Sequence, residues 1–118
     1  MSNELRIREP VVDFVKAVNE RDTGAFLAVF TENAVITDEG HQYRGITAIK
    51  EWSDEKNIGA EITLSPVDAV ERGGNTILTA KVDGNFDKTG LPDPFLMDLY
   101  FTIDENLITA LEYRLAGE

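Results

Sequence analysis

The sequence predicts an α+β fold in which three helices precede a run of antiparallel strands. Two observations support this prediction. In the first half of the chain apolar residues recur every three or four positions, as on one face of a helix, and after Gly59 they recur every second position, as in a strand. Short polar links separate the later segments, so neighbouring strands should run antiparallel. We expect the helices to cover one apolar face of the sheet.

The first two helices should form a hairpin. Residues 8–20 carry Pro10 where a first helical turn would lie, and the valines and Phe14 that follow are spaced three and four residues apart. Asp22 can cap a second helix, which is shorter and more hydrophobic and should end near residues 32–33.

The stretch after these helices holds the residues best suited to chemistry. A short strand is predicted over residues 34–37, followed by a polar turn that contains Asp38 and His41, the single histidine of the chain. A third helix is predicted over residues 47–56, with the Trp52 side chain turned inward.

The second half of the chain predicts four strands, over residues 61–70, 76–86, 95–103 and 107–115. Turns rich in glycine, proline, asparagine and aspartate separate them. Neither face of the last two strands is cleanly polar, since Leu96 and Tyr100 lie on the face opposite Phe101. We therefore expect both faces of the sheet to be covered, one by the helices and the other by a second copy of the chain in a homodimer.

Composition narrows the classes of function. A chain of 118 residues predicts one domain over residues 1–118, and its net charge of −11 argues against nucleic acid or an anionic membrane surface as a partner. With no cysteine and one histidine the chain lacks the usual zinc ligands, and we expect neither a metal nor a cofactor. Since no segment resembles a signal peptide or a membrane span, we expect a cytoplasmic protein.

Four stretches of sequence, in their order along the chain, are similar to a known superfamily. They are Phe-Val-Lys-Ala-Val-Asn-Glu-Arg-Asp at 14–22, Phe-Thr-Glu-Asn-Ala-Val-Ile-Thr-Asp at 30–38, Tyr-Arg-Gly-Ile-Thr-Ala-Ile at 43–49 and the closing strand at 107–115. On these residues the chain resembles the nuclear transport factor 2-like superfamily and, within it, the SnoaL-like and ketosteroid isomerase-like group. The resemblance implies a cystatin-like cone, in which a curved, antiparallel or mixed sheet wraps around the helices. It also implies a blind apolar cavity at the wide end and dimerisation through the outer sheet face.

The resemblance also assigns roles to particular residues. Asp38 falls where the isomerases keep the general base that moves a proton beside a ketone. The isomerases bind the resulting oxyanion with a tyrosine on helix one and a protonated aspartic acid on a late strand, and Phe14 and Leu99 match those positions here. Loss of one such donor can raise the barrier by about 2.7–4 kcal/mol. A shift of one residue would bring Asp98 to the second position, but it would turn the apolar face of that strand outward.

Asp38, His41 and Tyr43 are the candidate polar groups of the site. A carboxyl group beside an apolar cavity is desolvated, which raises its pKa and makes it a usable base, whereas the alternative is that Asp38 only begins a turn. His41 can orient Asp38 or carry a proton, or it is simply solvated in the turn. Tyr43 can donate a hydrogen bond at the rim, or it can hold the turn against helix three.

Apolar side chains are expected to form the cavity wall, although each is also an ordinary core residue. They are Phe14, Phe26, Phe30, Trp52, Phe95, Met97 and Phe101. The family alignment turns Glu112 and Arg114 inward at the cavity mouth, where Arg114 can bind a ligand carboxylate or carbonyl. Hydrophobicity alone would instead bury Leu111, Tyr113 and Leu115. Both arrangements are possible if Leu111, Tyr113 and Leu115 pack in the dimer interface.

These expectations favour a protein that binds a small hydrophobic or carbonyl-bearing molecule. If it is an enzyme, Asp38 is the acid and base of an isomerisation, cyclisation or hydration. The alternative is a non-catalytic binding or dimerisation module, which the loss of both oxyanion donors favours. A protein-binding adaptor is a third possibility, for which an exposed apolar patch apart from the dimer face would be evidence.

Overall fold

The helices and strands are those of an α+β fold, as predicted. The structure is a computed structural model that describes residues 7–73, 75–92 and 94–116. Within those ranges the helices are α1 (Glu9–Glu20), α2 (Thr23–Ala28) and α3 (Ile46–Lys56), with a 3-10 turn at Ile58–Ala60. The strands are β1 (Phe30–Asp38), β2 (His41–Arg44), β3 (Thr63–Arg72), β4 (Asn75–Asp83), β5 (Leu96–Asp104) and β6 (Leu107–Leu115).

One mixed sheet carries the six described strands, in the order β2-β1-β6-β5-β4-β3. All neighbours are antiparallel except β1 and β6, which run parallel. The predicted antiparallel order of the last four strands is therefore confirmed. The parallel pair brings the end of β1 beside the end of β6, since Thr37 is paired with Glu112.

Helix α1 packs along the inner face of this sheet. Val11, Phe14 and Val18 are fully buried, and their spacing of three and four residues produces the stripe that the sequence predicts. At its end the Asn19 side chain donates a hydrogen bond to the Leu64 carbonyl at 2.9 Å and accepts one from the Leu64 amide at 2.8 Å. These two bonds fix α1 against β3.

The second helix is shorter than predicted, because its last residues belong to β1. Helix α2 ends at Ala28, and the next strand begins at Phe30 and not at residue 34. Phe30 is paired with Ile108 of β6, and the Ile108 amide donates to the Val29 carbonyl at 2.8 Å. Pairing with a distant strand therefore overrides the local helical pattern.

The polar stretch after Asp38 is a β-hairpin and not only a turn. Glu39 and Gly40 have φ values of 51° and 79°, as the two central residues of a type I′ turn do. This turn pairs β2 with β1 and sets His41 directly opposite Asp38. Strand β2 was not predicted, because a strand of four polar and aromatic residues has almost no apolar alternation.

The core lies between α1, α2 and the inner sheet face, and four phenylalanines form its centre. The Phe14 ring lies 5.5 Å from Phe26, 6.1 Å from Phe30 and 5.1 Å from Phe101, measured between ring centroids. All four side chains are buried. This end of the fold is therefore filled by aromatic side chains. None of the helices in the described ranges combines the length and the apolar composition that spanning a bilayer requires.

Candidate functional site

A cavity of about 440 Å³ lies between α3, the 3-10 turn and the ends of β1, β4, β5 and β6. Its wall is mostly apolar and includes Trp52, Ile62, Val82, Phe86, Phe95 and Met97. The polar residues that line it include Asp38, Asn57, Asn85 and Tyr113. A concave, largely apolar cavity of this size with a few convergent polar groups is typical of a small-molecule site.

Buried hydrogen bonds after α3 hold one wall of the cavity in place. Asn57 is 2% exposed, and its backbone carbonyl accepts bonds from the amides of Ala60 and Ile62, both at 3.1 Å. The Asn85 amide donates to the Ala60 carbonyl at 2.7 Å, which ties the segment after β4 to the 3-10 turn. The chain therefore forms this wall from backbone contacts between two turns.

Asp38 ends β1 at the cavity wall. Its Oδ2 accepts a hydrogen bond from Nε1 of Trp52 at 3.1 Å. Burial raises the pKa of the Asp38 carboxyl above its usual value, and the neighbouring Glu39 charge raises it further. The hydrogen bond from Trp52 and the Lys56 charge act against this rise. Asp38 is thus a carboxyl group whose proton affinity exceeds that of an ordinary aspartate.

Tyr113 reaches the same cavity from β6. It is paired with Leu99 of β5, so its side chain lies on the inner face of the sheet. The Tyr113 ring lies 5.7 Å from the Trp52 ring, between centroids. Its hydroxyl oxygen is buried and has no hydrogen-bond partner among the described residues. Burial raises the Tyr113 pKa well above the usual value and the Asp38 charge adds to this, so the phenol keeps its proton.

The charged residues around the cavity are mainly acidic. Glu39, Glu55 and Asp87 line it together with Asp38, and Lys56 is the basic residue of the lining. Hydrogen bonds from the backbone and side chain of Thr89 lower the pKa of Asp87, which therefore stays ionised. Within residues 7–73, 75–92 and 94–116, no three histidine, cysteine or acidic side chains converge as a metal site requires.

The model of one protein family, the SnoaL-like domain, matches residues 11–111. The chain belongs to the SnoaL-like domain family. The resemblance that the sequence analysis drew is confirmed, and the fold is that of the nuclear transport factor 2-like proteins. No curated protein matches the sequence.

Solved structures with this fold come from proteins with different functions. A candidate polyketide cyclase from Sinorhizobium meliloti superposes with a TM-score of 0.79 at 27% identity, over 92% of this chain and 95% of that one. A candidate ketosteroid isomerase from Kribbella flavida gives a TM-score of 0.76 at 10% identity, over 94% and 78%. The Anabaena orange carotenoid protein, a structure binding canthaxanthin, gives 0.77 at 16% identity, over 100% of this chain but 39% of that one.

Three of the residues predicted to bind a ligand line the cavity of this SnoaL-like domain, namely Trp52, Phe95 and Met97. His41 and Tyr43 lie next to the site and do not line it. His41 is exposed, and its charge only slightly lowers the pKa of the opposite Asp38 carboxyl. The half-buried Tyr43 ring packs 6.1 Å from the Trp52 ring, between centroids.

The structure corrects the expected position of several apolar residues. Phe14, Phe30 and Leu99 lie in the core, as do Phe26 and Phe101, and none of them lines the cavity. They pack against one another at the end of the fold that α1 and α2 close. Leu99 is fully buried, so it is the inward residue of β5.

Asp98 and the charged pair of β6 lie on the outer face of the sheet. The Asp98 carboxylate accepts a hydrogen bond from the Thr79 hydroxyl at 2.5 Å. The structure corrects the expected place of Glu112 and Arg114 at the cavity mouth, since Arg114 Nε lies 3.1 Å from Glu112 Oε2 and its guanidinium 4.5 Å from the Tyr100 ring centroid. Side chains alternate along a strand, and the inner positions of β6 are taken by Leu111 and Tyr113.

Three uncharged polar residues of the cavity were not among the predicted site residues, namely Asn57, Asn85 and Tyr113, and neither were the charged lining residues Glu39, Glu55, Lys56 and Asp87. The two asparagines lie in turns, where nothing in the sequence distinguishes them from ordinary turn residues. Tyr113 carried a signal, because the hydrophobic alternation of β6 places it on the same face as Leu111.

Proposed function

We propose that this SnoaL-like domain binds a small, hydrophobic, carbonyl-bearing molecule in the cavity and that Asp38 moves a proton on it. The observation that carries the proposal is the Asp38 carboxyl, which lies in a mainly apolar wall where burial raises its pKa. A base works best when its pKa lies near the working pH, and a surface aspartate is too acidic for this.

The proposed step is an isomerisation. The Asp38 carboxylate takes a proton from the carbon beside the ligand carbonyl. The electron pair of that C–H bond forms a carbon–carbon double bond, and the carbonyl π electrons move to the oxygen. In a ligand with a carbon–carbon double bond between its β and γ carbons, the resulting dienolate accepts the proton back from the Asp38 carboxylic acid at the γ carbon, so the double bond moves to the α and β carbons and no atom is gained or lost. In a cyclisation the same enolate carbon would instead attack a second carbonyl group of the ligand.

One similarity and one feature of the cavity support this proposal. The chain resembles a candidate polyketide cyclase over nearly its full length. The apolar wall of Trp52, Phe86, Phe95 and Met97 suits a hydrophobic molecule. Fold alone does not decide the reaction, because the same fold also carries binding functions.

A non-catalytic binding module is the second candidate, and one observation favours it. The two positions that would hold oxyanion donors in the isomerases, Phe14 and Leu99, are occupied by fully buried apolar side chains. An enolate would have no donor from either of them. Under this alternative Asp38→Asn leaves ligand affinity intact, and no Asp38-dependent turnover exists.

An NMR titration of the Asp38 side-chain carboxyl in the free protein tests the proposal. Asp38→Asn assigns the signal. We expect the Asp38 pKa to lie above the 3.8 of a free aspartate side chain. That result justifies screening ketones for hydrogen–deuterium exchange that is lost in Asp38→Asn. A pKa at or below 3.8 would refute Asp38 as the proton carrier.

We also propose that two copies of the chain associate through the outer sheet face. In the single chain this face presents Ile77, Leu96 and Tyr100, all half-buried, and Val70, which is 42% exposed. Apolar side chains on the solvent face of a sheet are typical of an interface. Sedimentation should give the mass of two chains, and Tyr100→Asp should give the mass of one. A monomeric wild type would contradict the proposal.

A further inference from the structure

The hydroxyl group of Tyr113 is a buried polar group without a partner. Its oxygen accepts and donates no hydrogen bond within the described part of the chain, although the side chain lines the cavity. Buried hydroxyl groups in proteins nearly always have a partner, because leaving one unpaired costs free energy. Because the Tyr113 side chain lines the cavity, a ligand oxygen that reaches this hydroxyl group would supply the missing partner.

Trp52 connects this hydroxyl group with Asp38. The indole N–H donates to Asp38 at 3.1 Å, and the same side chain packs against the Tyr113 ring at 5.7 Å between centroids. The Asp38 charge is close enough to add to the rise in the Tyr113 pKa. One ligand can therefore meet a carboxylate that accepts a proton and a phenol that donates a hydrogen bond.

The charges of the cavity restrict the ligand further. Four of the charged lining residues are acidic and one, Lys56, is basic, which gives a formal charge of −3 when all are ionised. A carboxylate or phosphate ligand would be repelled by this charge, and its desolvation in an apolar cavity would cost further free energy. An uncharged molecule avoids both costs.

We infer that Tyr113 donates a hydrogen bond to the oxygen of the ligand, and that the cavity selects uncharged ketones, aldehydes or lactones over organic anions. This inference rests on the proposed function, since it specifies the ligand class of the same cavity. It makes Tyr113 a ligand-binding residue that supplies, from β6, a donor that neither Phe14 nor Leu99 can offer.

The test uses 4-tert-butylcyclohexanone and the matched anion 4-tert-butylcyclohexanecarboxylate as probes. Trp52 is the single tryptophan of the chain and lines the cavity, so its fluorescence reports binding. Tyr113→Phe removes only the hydroxyl group. Tyr43→Phe is the matched control, because Tyr43 also packs on Trp52 without lining the cavity.

We expect the ketone to bind wild type and Tyr43→Phe equally. Tyr113→Phe should weaken binding about fivefold to tenfold, the loss of one neutral hydrogen bond. The carboxylate should bind at least about tenfold more weakly than the ketone, because its charge must be desolvated. With a ¹³C-labelled carbonyl group, the bound ketone signal should move downfield in wild type and lose that shift in Tyr113→Phe, which a packing effect would not produce. Tyr113→Phe should be no less stable than wild type, since the hydroxyl group has no partner to lose.

Three results would overturn the inference. The first is equal ketone affinity and an equal ¹³C shift in wild type and Tyr113→Phe. The second is a carboxylate that binds as well as the ketone, and the third is no ketone binding to wild type up to its solubility limit. None of them changes the Asp38 titration in the free protein. Conversely, an ordinary Asp38 pKa with intact Tyr113-dependent binding would refute the proton transfer and leave this inference standing.

Discussion

Replacing Trp52 by phenylalanine tests whether Asp38 is ionised and hydrogen-bonded as the structure indicates. The substitution removes the indole N–H, which donates to Asp38 Oδ2 at 3.1 Å. Phenylalanine keeps an aromatic ring against Tyr113 and Tyr43. The change therefore has two effects, a loss of packing and a loss of one donor. Only the second depends on the charge of Asp38.

The expected magnitude follows from that charge. A hydrogen bond to an ionised group contributes about 1.5–3 kcal/mol, and one to a neutral group about 0.5–1.5 kcal/mol. Because Asp38 is partly open to the cavity, solvent screening favours the lower end of the first range. We therefore expect Trp52→Phe to cost about 1 kcal/mol more when Asp38 is ionised than when it is protonated.

The direction in which this cost changes with pH follows from the raised pKa of Asp38. Since the folded Asp38 carboxyl has a higher pKa than the unfolded one, folding favours its protonated form, and stability from this group falls as the pH rises from 3.8 through the folded pKa. Trp52→Phe removes an interaction that lowers the folded pKa, so it raises that pKa further. The cost of the substitution should thus be largest at pH 8 and should decrease toward pH 4.

The assay is urea unfolding between pH 4 and pH 8, followed by circular dichroism because the variant has no tryptophan. The same substitution in an Asp38→Asn background is the control, since asparagine can accept the bond but carries no charge. We expect its cost there to be independent of pH. The reasoning is refuted if the stability lost through Trp52→Phe does not vary with pH when Asp38 is present. It is also refuted if that loss varies equally with pH in the native and Asp38→Asn backgrounds.

Two further predictions concern the frame around the cavity. Gly59→Ala should destabilise the fold by about 3 kcal/mol, because a Cβ atom there would lie 1.6 Å from the Asp54 backbone oxygen. Gly40→Ala, with φ of 79° and open space around the added Cβ atom, should cost only about 1–2 kcal/mol. Equal losses of unfolding free energy for the two variants in urea would contradict this prediction. Phe14→Leu should lower the free energy of unfolding by about 2 kcal/mol through lost ring contacts. It should leave the affinity for 4-tert-butylcyclohexanone unchanged, because Phe14 lies in the core and not at the cavity. A weaker ketone affinity would contradict this placement of Phe14.

Much of the fold could be predicted because local signals and tertiary packing agree. Pro10 and the apolar spacing after it place α1 at residues 8–20, and the helix observed is Glu9–Glu20. The boundary at Phe30 could not be predicted in this way. The apolar run before it fits either a helix or a strand, and the pairing of Phe30 with Ile108, far along the chain, decides between them.

The site was harder to predict, because it depends on which face of each strand turns inward. Asp38 and Trp52 were predicted as site residues from one strand with its following turn and from one helix, both of which are local signals. On β6 both faces carry apolar and polar side chains, so the sequence left open whether Arg114 or Tyr113 faces the cavity. The register that pairs Leu99 with Tyr113 settles this, and register depends on contacts between strands.

The pairing of Leu99 on β5 with Tyr113 on β6 indicates how the polar residues of a site can differ between proteins that share this fold. Leu99 occupies the strand position at which the sequence resemblance places an acidic donor, and Tyr113 lies directly across from it on β6. Leu99 lies in the core, whereas the side chain of Tyr113 on the neighbouring strand lines the cavity. Three of the cavity residues that carry polar groups, Asp38, Trp52 and Tyr113, come from β1, α3 and β6, with Trp52 between Asp38 and Tyr113. On α1 and β5 the two donor positions are occupied by the apolar residues Phe14 and Leu99. A donor on another strand can still bind a carbonyl oxygen, so the absence of these two donors does not by itself exclude such a ligand.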